Sequence, residues 1–204
     1  MTMNTTIFLV DDDPGVRDAL TVFLESSGFT VRRFESAEAF LAKTTDAERG
    51  VLVLDQRMGG MSGLDLQKEL KARGLDLPTI FITGHGDVQM SVTAMKEGAV
   101  DLLEKPFRNC DLLAGIEAAM ARQEAQQAHT ARRAAAQGKY RSLTPREREV
   151  MECIVRGEPN RTIAEHLGVS VRTVEVHRAK VMEKMRAESL PDLVRLAGLV
   201  GIGS

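Results

Sequence analysis

Four apolar residues in a row, Val51-Leu52-Val53-Leu54, run directly into a carboxylate, Asp55. Because the run does not alternate with polar residues, a strand built from it buries both faces. That is how a central strand of a parallel sheet reads. An acid at the end of such a strand falls at the rim where open α/β sheets bind ligands. It is also costly to bury unpaired. A chain that carries this stretch therefore needs helices on both faces of a sheet and partners for Asp55.

The rest of the first 120 residues supplies such helices in alternation with further apolar runs. Thr6–Val10 leads into Asp11-Asp12-Asp13, and Pro14 suits the first turn of a helix with Val16, Leu20, Phe23 and Leu24 at helical spacing, closed by Gly28. Phe29–Phe34 is more polar and reads as a strand near an edge, and Ser36 can cap a short helix carrying Ala39, Phe40 and Leu41. After Asp55 a glycine-rich loop, Met58-Gly59-Gly60-Met61-Ser62-Gly63, opens a helix with Leu64, Leu66 and Leu70. Pro78–Thr83 is the next run; Gly84-His85-Gly86-Asp87 then turns into a helix with Val88, Val92 and Met95, stopped by Gly98. Ala99–Leu103 is the last strand, before Glu104-Lys105-Pro106-Phe107 and a helix from about Asn109 with Leu112, Leu113, Ile116 and Met120. Five βα units predict an α/β fold: a five-stranded, doubly wound parallel sheet with right-handed crossovers.

In that arrangement Asp11, Asp12, Asp55, Thr83 and Lys105 all fall at or just past the C-terminal ends of strands, around one crevice. Three close carboxylates repel one another unless a cation joins them. Oxygen-only donors favour a hard ion such as Mg²⁺, Lys105 supplies a point charge for an anion, and Thr83 supplies a hydroxyl. The set fits transfer of a phosphoryl group onto Asp55. Taken singly, Asp11–Asp13 also suit a helix N-terminus, Thr83 a strand-end turn and Lys105 a solvated surface; it is the joint placement that points to a site. An aspartyl-phosphate hydrolase would usually carry a second acid two residues after its nucleophile, where this chain has Arg57. A flavin phosphate would be repelled by the acidic loop after the first strand.

Val10-Asp11-Asp12, Leu54-Asp55, Ile82-Thr83-Gly84 and Glu104-Lys105-Pro106-Phe107 resemble the receiver domain of bacterial two-component response regulators over roughly residues 5–120. The resemblance implies a flavodoxin-like strand order 2-1-3-4-5, Asp55 as phospho-acceptor, and Asp11, Asp12 and the Arg57 backbone carbonyl as further Mg²⁺ ligands. It implies Thr83 and Lys105 as ligands of the phosphoryl oxygens and switching residues, and a cis Lys105–Pro106 peptide. Two positions depart from the family. Gly59 stands where relatives usually have proline, which should loosen the loop. Leu102 stands where many receivers carry an aromatic, so motion of Thr83 is expected to couple to packing around Leu102.

Composition divides the chain. Among its 204 residues, 1–120 carry 12 Lys/Arg against 19 Asp/Glu, and 121–204 carry 15 against 10. An acidic half joined to a basic half predicts two domains with different partners, the basic one a candidate for nucleic acid. Hydrophobic residues make up 43 %, enough for proper cores. Cys110 and Cys153 make no metal spacing in sequence and read as reduced thiols. No stretch approaches transmembrane length, so a soluble cytoplasmic protein with no membrane partner is expected.

Residues 121–140, rich in Ala, Gln and Arg, read as a linker: a helix through about residue 135 with Gly138 as a stop, or a flexible tether. Within 141–204, Thr144-Pro145-Arg146-Glu147 is a complete helix start with a capping box. Val150, Met151, Ile154 and Val155 form its stripe. Asn160 is expected to cap a second helix carrying Ile163, Ala164 and Leu167. Gly168-Val169-Ser170 is a tight turn, and a third helix follows over about Val171–Met185, with Val174, Val181 and Met185 inward. A fourth spans about Leu190–Leu199. Two short helices joined by a Gly-containing turn fit a helix-turn-helix, or a small bundle with a charged face.

Leu143-Thr-Pro-Arg-Glu147, Ile163-Ala-Glu-His-Leu167 and Thr173-Val-Glu-Val-His177 are similar to the four-helix DNA-binding domain of the LuxR/NarL class, and the whole chain resembles FixJ-type regulators. The resemblance implies that Val171–Met185 enters the major groove of double-stranded DNA. The outward positions Arg172, Glu175, Val176 and Ala179 become base-facing candidates, and Thr173 is a further DNA-binding candidate. Arg161, Thr162, His177, Arg178 and Lys180 become phosphate candidates. It further implies a transcriptional regulator rather than an enzyme. A sensor histidine kinase would be its phosphodonor, phosphorylation would drive homodimerisation through the receiver, and RNA polymerase would be its downstream partner.

Overall fold

The computed structural model describes residues 5–45, 49–84 and 88–203, with the side chains of 88–91 left aside. The chain divides into two compact units, Met1–Ala125 and Gln126–Ser204.

In the first unit β1 (Thr6–Val10), β2 (Thr30–Phe34), β3 (Val51–Asp55), β4 (Thr79–Thr83) and β5 (Asp101–Glu104) form one parallel sheet in the order β2-β1-β3-β4-β5. Central β3 and β4 are buried at every position, whereas β2 is the half-exposed edge its polar sequence predicts. The period of two along each strand sorts the core into two layers. Phe8, Val10, Leu52, Leu54 and Phe81 point to the side covered by α2 (Ala37–Lys43), α3 (Gly63–Ala72) and α4 (Val88–Lys96). Ile7, Leu9, Val51, Val53, Ile80 and Ile82 point to the side of α1 (Pro14–Ser26) and α5 (Asn109–Arg141). Truncating a fully buried ring such as Phe81 to alanine in such a layer costs about 3–5 kcal/mol.

Several expectations are corrected. The last strand starts at Asp101 and includes Glu104, later than the apolar run suggests. On α4, Val92 and Met95 are 49 % and 50 % exposed, so the apolar stripe read from sequence is not all core; Ala94 carries the inward contact. The turn residues His85, Gly86 and Asp87 lie outside the described residues.

Helix α5 does not stop at Gly138; it runs to Arg141 as one 33-residue element. The stretch read as a linker ends in core contacts of the second unit. Ala136 is 1 % exposed there, and Tyr140 packs against the same cluster. This burial holds the helix past the stop expected at Gly138. Thr144, extended before Pro145, then ends the connection, because a residue before proline disfavours the helical region.

The second unit continues with α6 (Pro145–Val155), α7 (Asn160–Leu167), α8 (Val171–Met185) and α9 (Leu190–Leu199). Their inward residues, Val150, Met151, Ile154, Ile163, Val174, Val181, Met185, Leu193 and Ala197, form one core. The predicted capping box at Thr144 and Glu147 is present. Asn160 is not the cap of α7: the N-cap is Pro159, which offers no side-chain acceptor, and Asn160 is the first helical residue. Gly168 closes α7 at φ 64°, a left-handed turn that costs glycine least and sends the chain into α8.

Candidate functional site

The sheet register sets the geometry of the acidic crevice. Val10 pairs with Leu54, so Asp11 and Asp55 leave adjacent strands side by side. Thr83 pairs with Glu104, so Lys105 emerges next to Thr83, and its backbone N–H continues the ladder to the Thr83 carbonyl at 2.8 Å. The Lys105–Pro106 peptide is cis, as the resemblance implies.

Lys105 Nζ donates to Asp55 Oδ1 at 2.7 Å and to Asp11 Oδ2 at 3.0 Å. The two carboxylates are 6 % and 1 % exposed. Asp55 Oδ2 also accepts the Arg57 N–H at 2.8 Å, and Asp11 Oδ1 accepts the Asp13 N–H at 2.9 Å. Arg17 donates to the Asp11 carbonyl at 2.6 Å. Two buried carboxylates thus share a single ammonium. Burial pushes the Asp55 carboxyl above its ordinary range; Lys105 pulls it down, and Asp11 adds to the upward push. For Lys105 burial acts downward, but its bonds to Asp55 and Asp11 outweigh it and hold the ammonium above its ordinary value.

Asp12 is not drawn into this pair. It is exposed at the rim, and its Oδ2 accepts the Gly59 N–H at 3.0 Å. Among the described residues the three aspartates do not close into a tight three-oxygen cluster. Thr83 is buried at the end of β4, and its hydroxyl donates to the Gly84 carbonyl at 3.2 Å. Donors at the crevice are oxygens, and the Lys105 ammonium stands between Asp11 and Asp55 as a cation would. That chemistry fits Mg²⁺, with Asp11, Asp12, Asp55 and the Arg57 carbonyl as the residues that would hold it.

Three supports of the site are not evident from the sequence. The loop after Asp55 is anchored at two backbone N–H groups. Gly59 keeps an N–H that proline would lack and donates it to Asp12, while the Met61 N–H is held by Glu38 at 2.9 Å. That same bond is the main reason the Glu38 carboxyl lies below its ordinary range. Gly63 lets α3 approach the strand end: a β-carbon there would lie 2.7 Å from the Asp55 carbonyl oxygen.

In the second unit the outward face of α8 is as its spacing predicts. Arg172, Glu175, Val176, Ala179 and Lys180 are exposed, whereas Val174 and Val181 are buried. Arg172 lies 3.7 Å from Glu175. Thr173, His177 and Arg178 are half-buried at the flank, and among the described residues His177 Nδ1 has no hydrogen-bond partner. Arg161 is exposed at the start of α7 and pairs with Glu165 at 3.2 Å; Thr162 beside it is half-buried. Thr173 is engaged with Ser170 at the helix cap.

Leu102 lies opposite Phe81 in the β4–β5 register and packs against the same core layer.

Comparison with known proteins agrees with both units. Residues 7–117 match the family described as response regulator receiver domain, and residues 141–197 match the luxR family of bacterial regulatory proteins. The chain is 48 % identical to the transcriptional regulatory protein FixJ of Azorhizobium caulinodans, over 96 % of this chain and 93 % of that protein. It is 47 % identical to FixJ of Rhizobium meliloti, over 97 % of each. Among solved structures it is similar to the response regulator StyR, with TM-score 0.79 at 42 % identity, over 96 % of this chain and 98 % of that one. It is also similar to full-length FixJ from B. japonicum, with TM-score 0.62 at 44 % identity, over 98 % of each. Among the described residues no helix is long and apolar enough to cross a membrane. The chain belongs to the FixJ-like response regulators, two-component transcription regulators that join a receiver to a LuxR-type DNA-binding domain and are activated by phosphorylation.

Proposed function

We propose that Asp55 is the phospho-acceptor and that its phosphorylation by a sensor histidine kinase switches DNA binding by α8. The observation that carries this reading is the sharing of one lysine by two buried carboxylates at the strand ends. The site holds excess negative charge, so it favours a divalent cation, and Lys105 is placed to meet the incoming phosphoryl oxygens. An Asp55 oxygen forms the new bond to phosphorus as the bond to the kinase histidine breaks, and the imidazole recovers a proton. Mg²⁺, held by Asp11, Asp12, Asp55 and the Arg57 carbonyl, would neutralise charge on the transferred group.

The aspartyl phosphate adds about −1.5 to −2 charge. Thr83 turns from the Gly84 carbonyl toward the phosphoryl oxygens, and Lys105 re-pairs with them. Leu102, packed beside Phe81 in place of the usual aromatic, transmits the shift to the α4–β5 face. The exposed Val92 and Met95 support that face as the homodimer contact. Two α8 helices then meet successive DNA half-sites. Arg172, Glu175, Val176 and Ala179 face the bases, Arg161, Thr162, His177, Arg178 and Lys180 serve the phosphates, and Thr173 is a further contact at the start of the helix. Cytoplasmic RNA polymerase is the downstream partner.

The test is DNA affinity of the full chain with and without acetyl phosphate and Mg²⁺. Phosphorylation should tighten specific binding, and Arg172→Ala should weaken it by about 1–3 kcal/mol. Equal affinity in both states, or no effect of Arg172→Ala on affinity or salt slope, contradicts the assignment.

A further inference from the structure

Away from the acidic crevice, the corner between α6 and α7 gathers three different metal-donor types. Cys153 Sγ, a Glu158 carboxylate oxygen and a His166 ring nitrogen all lie within 4.8 Å of one another. His166 Nδ1 is already 3.2 Å from Glu158 Oε2. Bonds of about 2.0–2.3 Å to a tetrahedral Zn²⁺ imply ligand–ligand separations of roughly 3.3–3.8 Å, within reach of small side-chain rotations here. The donors are graded from inside to outside: Cys153 is 4 % exposed, the Glu158 side chain 17 %, and the His166 side chain 64 %. One side of the corner therefore opens to solvent, where a water can complete four ligands.

A cation already addresses two of these donors. Arg156 places Nη2 at 3.1 Å from Cys153 Sγ and Nε at 2.7 Å from Glu158 Oε1. An ordinary surface ion pair would need only Arg156 and Glu158. The buried sulfur beneath them and the imidazole across from them are extra, and both are transition-metal donors. Arg156 is 54 % exposed at the C-cap of α6, so it can swing into water when a metal takes its place. The sequence gives no hint of the site. The intervals Cys-x₄-Glu and Glu-x₇-His match no common motif, and the three residues meet because a short connection joins α6 to α7 while both helices pack on α8.

We propose that Cys153, Glu158 and His166 form a site for a borderline divalent transition metal of the Zn²⁺ class, with one position left to water. The mixed S, N and O set suits Zn²⁺ far better than the hard Mg²⁺ of the receiver. On binding, the thiol proton leaves to solvent, the metal–sulfur bond forms, and Arg156 departs. The ion ties the last turn of α6 to the last turn of α7, one residue before the Leu167-Gly168 turn into α8, and so braces the helix-turn-helix.

The test uses the full chain carrying Cys110→Ser, which removes the exposed second thiol, titrated with Co²⁺ alone as the optical probe. One equivalent should bring up a thiolate-to-metal charge-transfer band with tetrahedral visible bands, and Zn²⁺ should displace both. The oxygen-only crevice around Asp55 gives no thiolate band. Cys153→Ser should abolish the band. His166→Gln, at an exposed position that leaves the fold intact by circular dichroism, should weaken Co²⁺ binding at least about tenfold, as should Glu158→Gln. Absence of a charge-transfer band, or a band of undiminished affinity in His166→Gln, overturns the proposal.

Discussion

Asp55 in the first unit and Glu147 in the second are both carboxylates buried against a lysine, at the same 2.7 Å. Their side chains are 6 % and 4 % exposed, and their lysines 31 % and 34 %. Yet their proton affinities move in opposite directions. Asp55 lies above its ordinary range, chiefly through burial and then through Asp11. Glu147 lies below its own: burial pushes it up, but Lys184 and the Thr144 N–H together pull it further down. The difference is one of stoichiometry. Among the described residues Glu147 shares Lys184 with no second carboxylate, and it also accepts the Thr144 N–H at 2.8 Å, as the closing half of a capping box. Asp55 shares its lysine with a second buried carboxylate. A fully satisfied pair is a joint, here between the start of α6 and the end of α8. A pair left one positive charge short is a site that calls for a cation.

The largest test of this contrast removes the lysines. Lys184→Met leaves Glu147 buried without its counter-ion and should cost about 3–5 kcal/mol, read as lost amide hydrogen-exchange protection in α6 and α8 of the full chain. Lys105→Met should cost the first unit less, because Lys105 offsets the burial of Asp55 only in part. A larger loss at Lys105 than at Lys184 would break the comparison.

Next come the acids themselves, where the two units should respond with opposite sign. Glu147→Gln removes a satisfied charge and should lower protection in the second unit by about 1–2 kcal/mol. Asp55→Asn relieves a like-charge contact and should raise protection around β3 in metal-free buffer by a smaller amount, about 1 kcal/mol. Destabilisation by both substitutions would mean that Asp55 is as well satisfied as Glu147.

The smallest effect is a displacement in pH. An acid raised in the fold keeps its proton longer there than in the unfolded chain. The Asp55 contribution to stability therefore declines as pH rises from the ordinary value of about 3.9 through its raised value. The Glu147 contribution is present above the ordinary value of about 4.3 and is lost as pH falls through its depressed one. Carboxyl-carbon titration of the metal-free full chain should place Asp55 above and Glu147 below these references. The same order for both would remove the distinction.

How far this contrast was legible in the sequence depends on distance along the chain. Asp11, Asp55 and Lys105 were legible because a parallel sheet sends every strand end to one rim, so local runs of apolar residues determine a long-range meeting. The Glu147 half of the capping box was legible because its partner Thr144 is three residues away. Its bond to Lys184 was not: 37 residues separate them, and only the packing of α6 on α8 brings them together. The latches Gly59–Asp12 and Met61–Glu38 were hidden for a related reason. Composition reads a glycine pair as looseness, while the structure uses the N–H that proline would have removed. The end of α5 was misread because Ala136 and Tyr140 carry too little apolar signal to reveal that they are core.

On the proposed function, excess negative charge around Asp55 makes it a cation-dependent phosphoryl acceptor. The most direct measurement is the intact mass of the full chain after incubation with acetyl phosphate, with and without Mg²⁺, for wild type and Asp55→Asn. One phosphoryl group, dependent on Mg²⁺ and absent from Asp55→Asn, is the predicted result. Equal labelling of Asp55→Asn, or labelling indifferent to Mg²⁺, would contradict it.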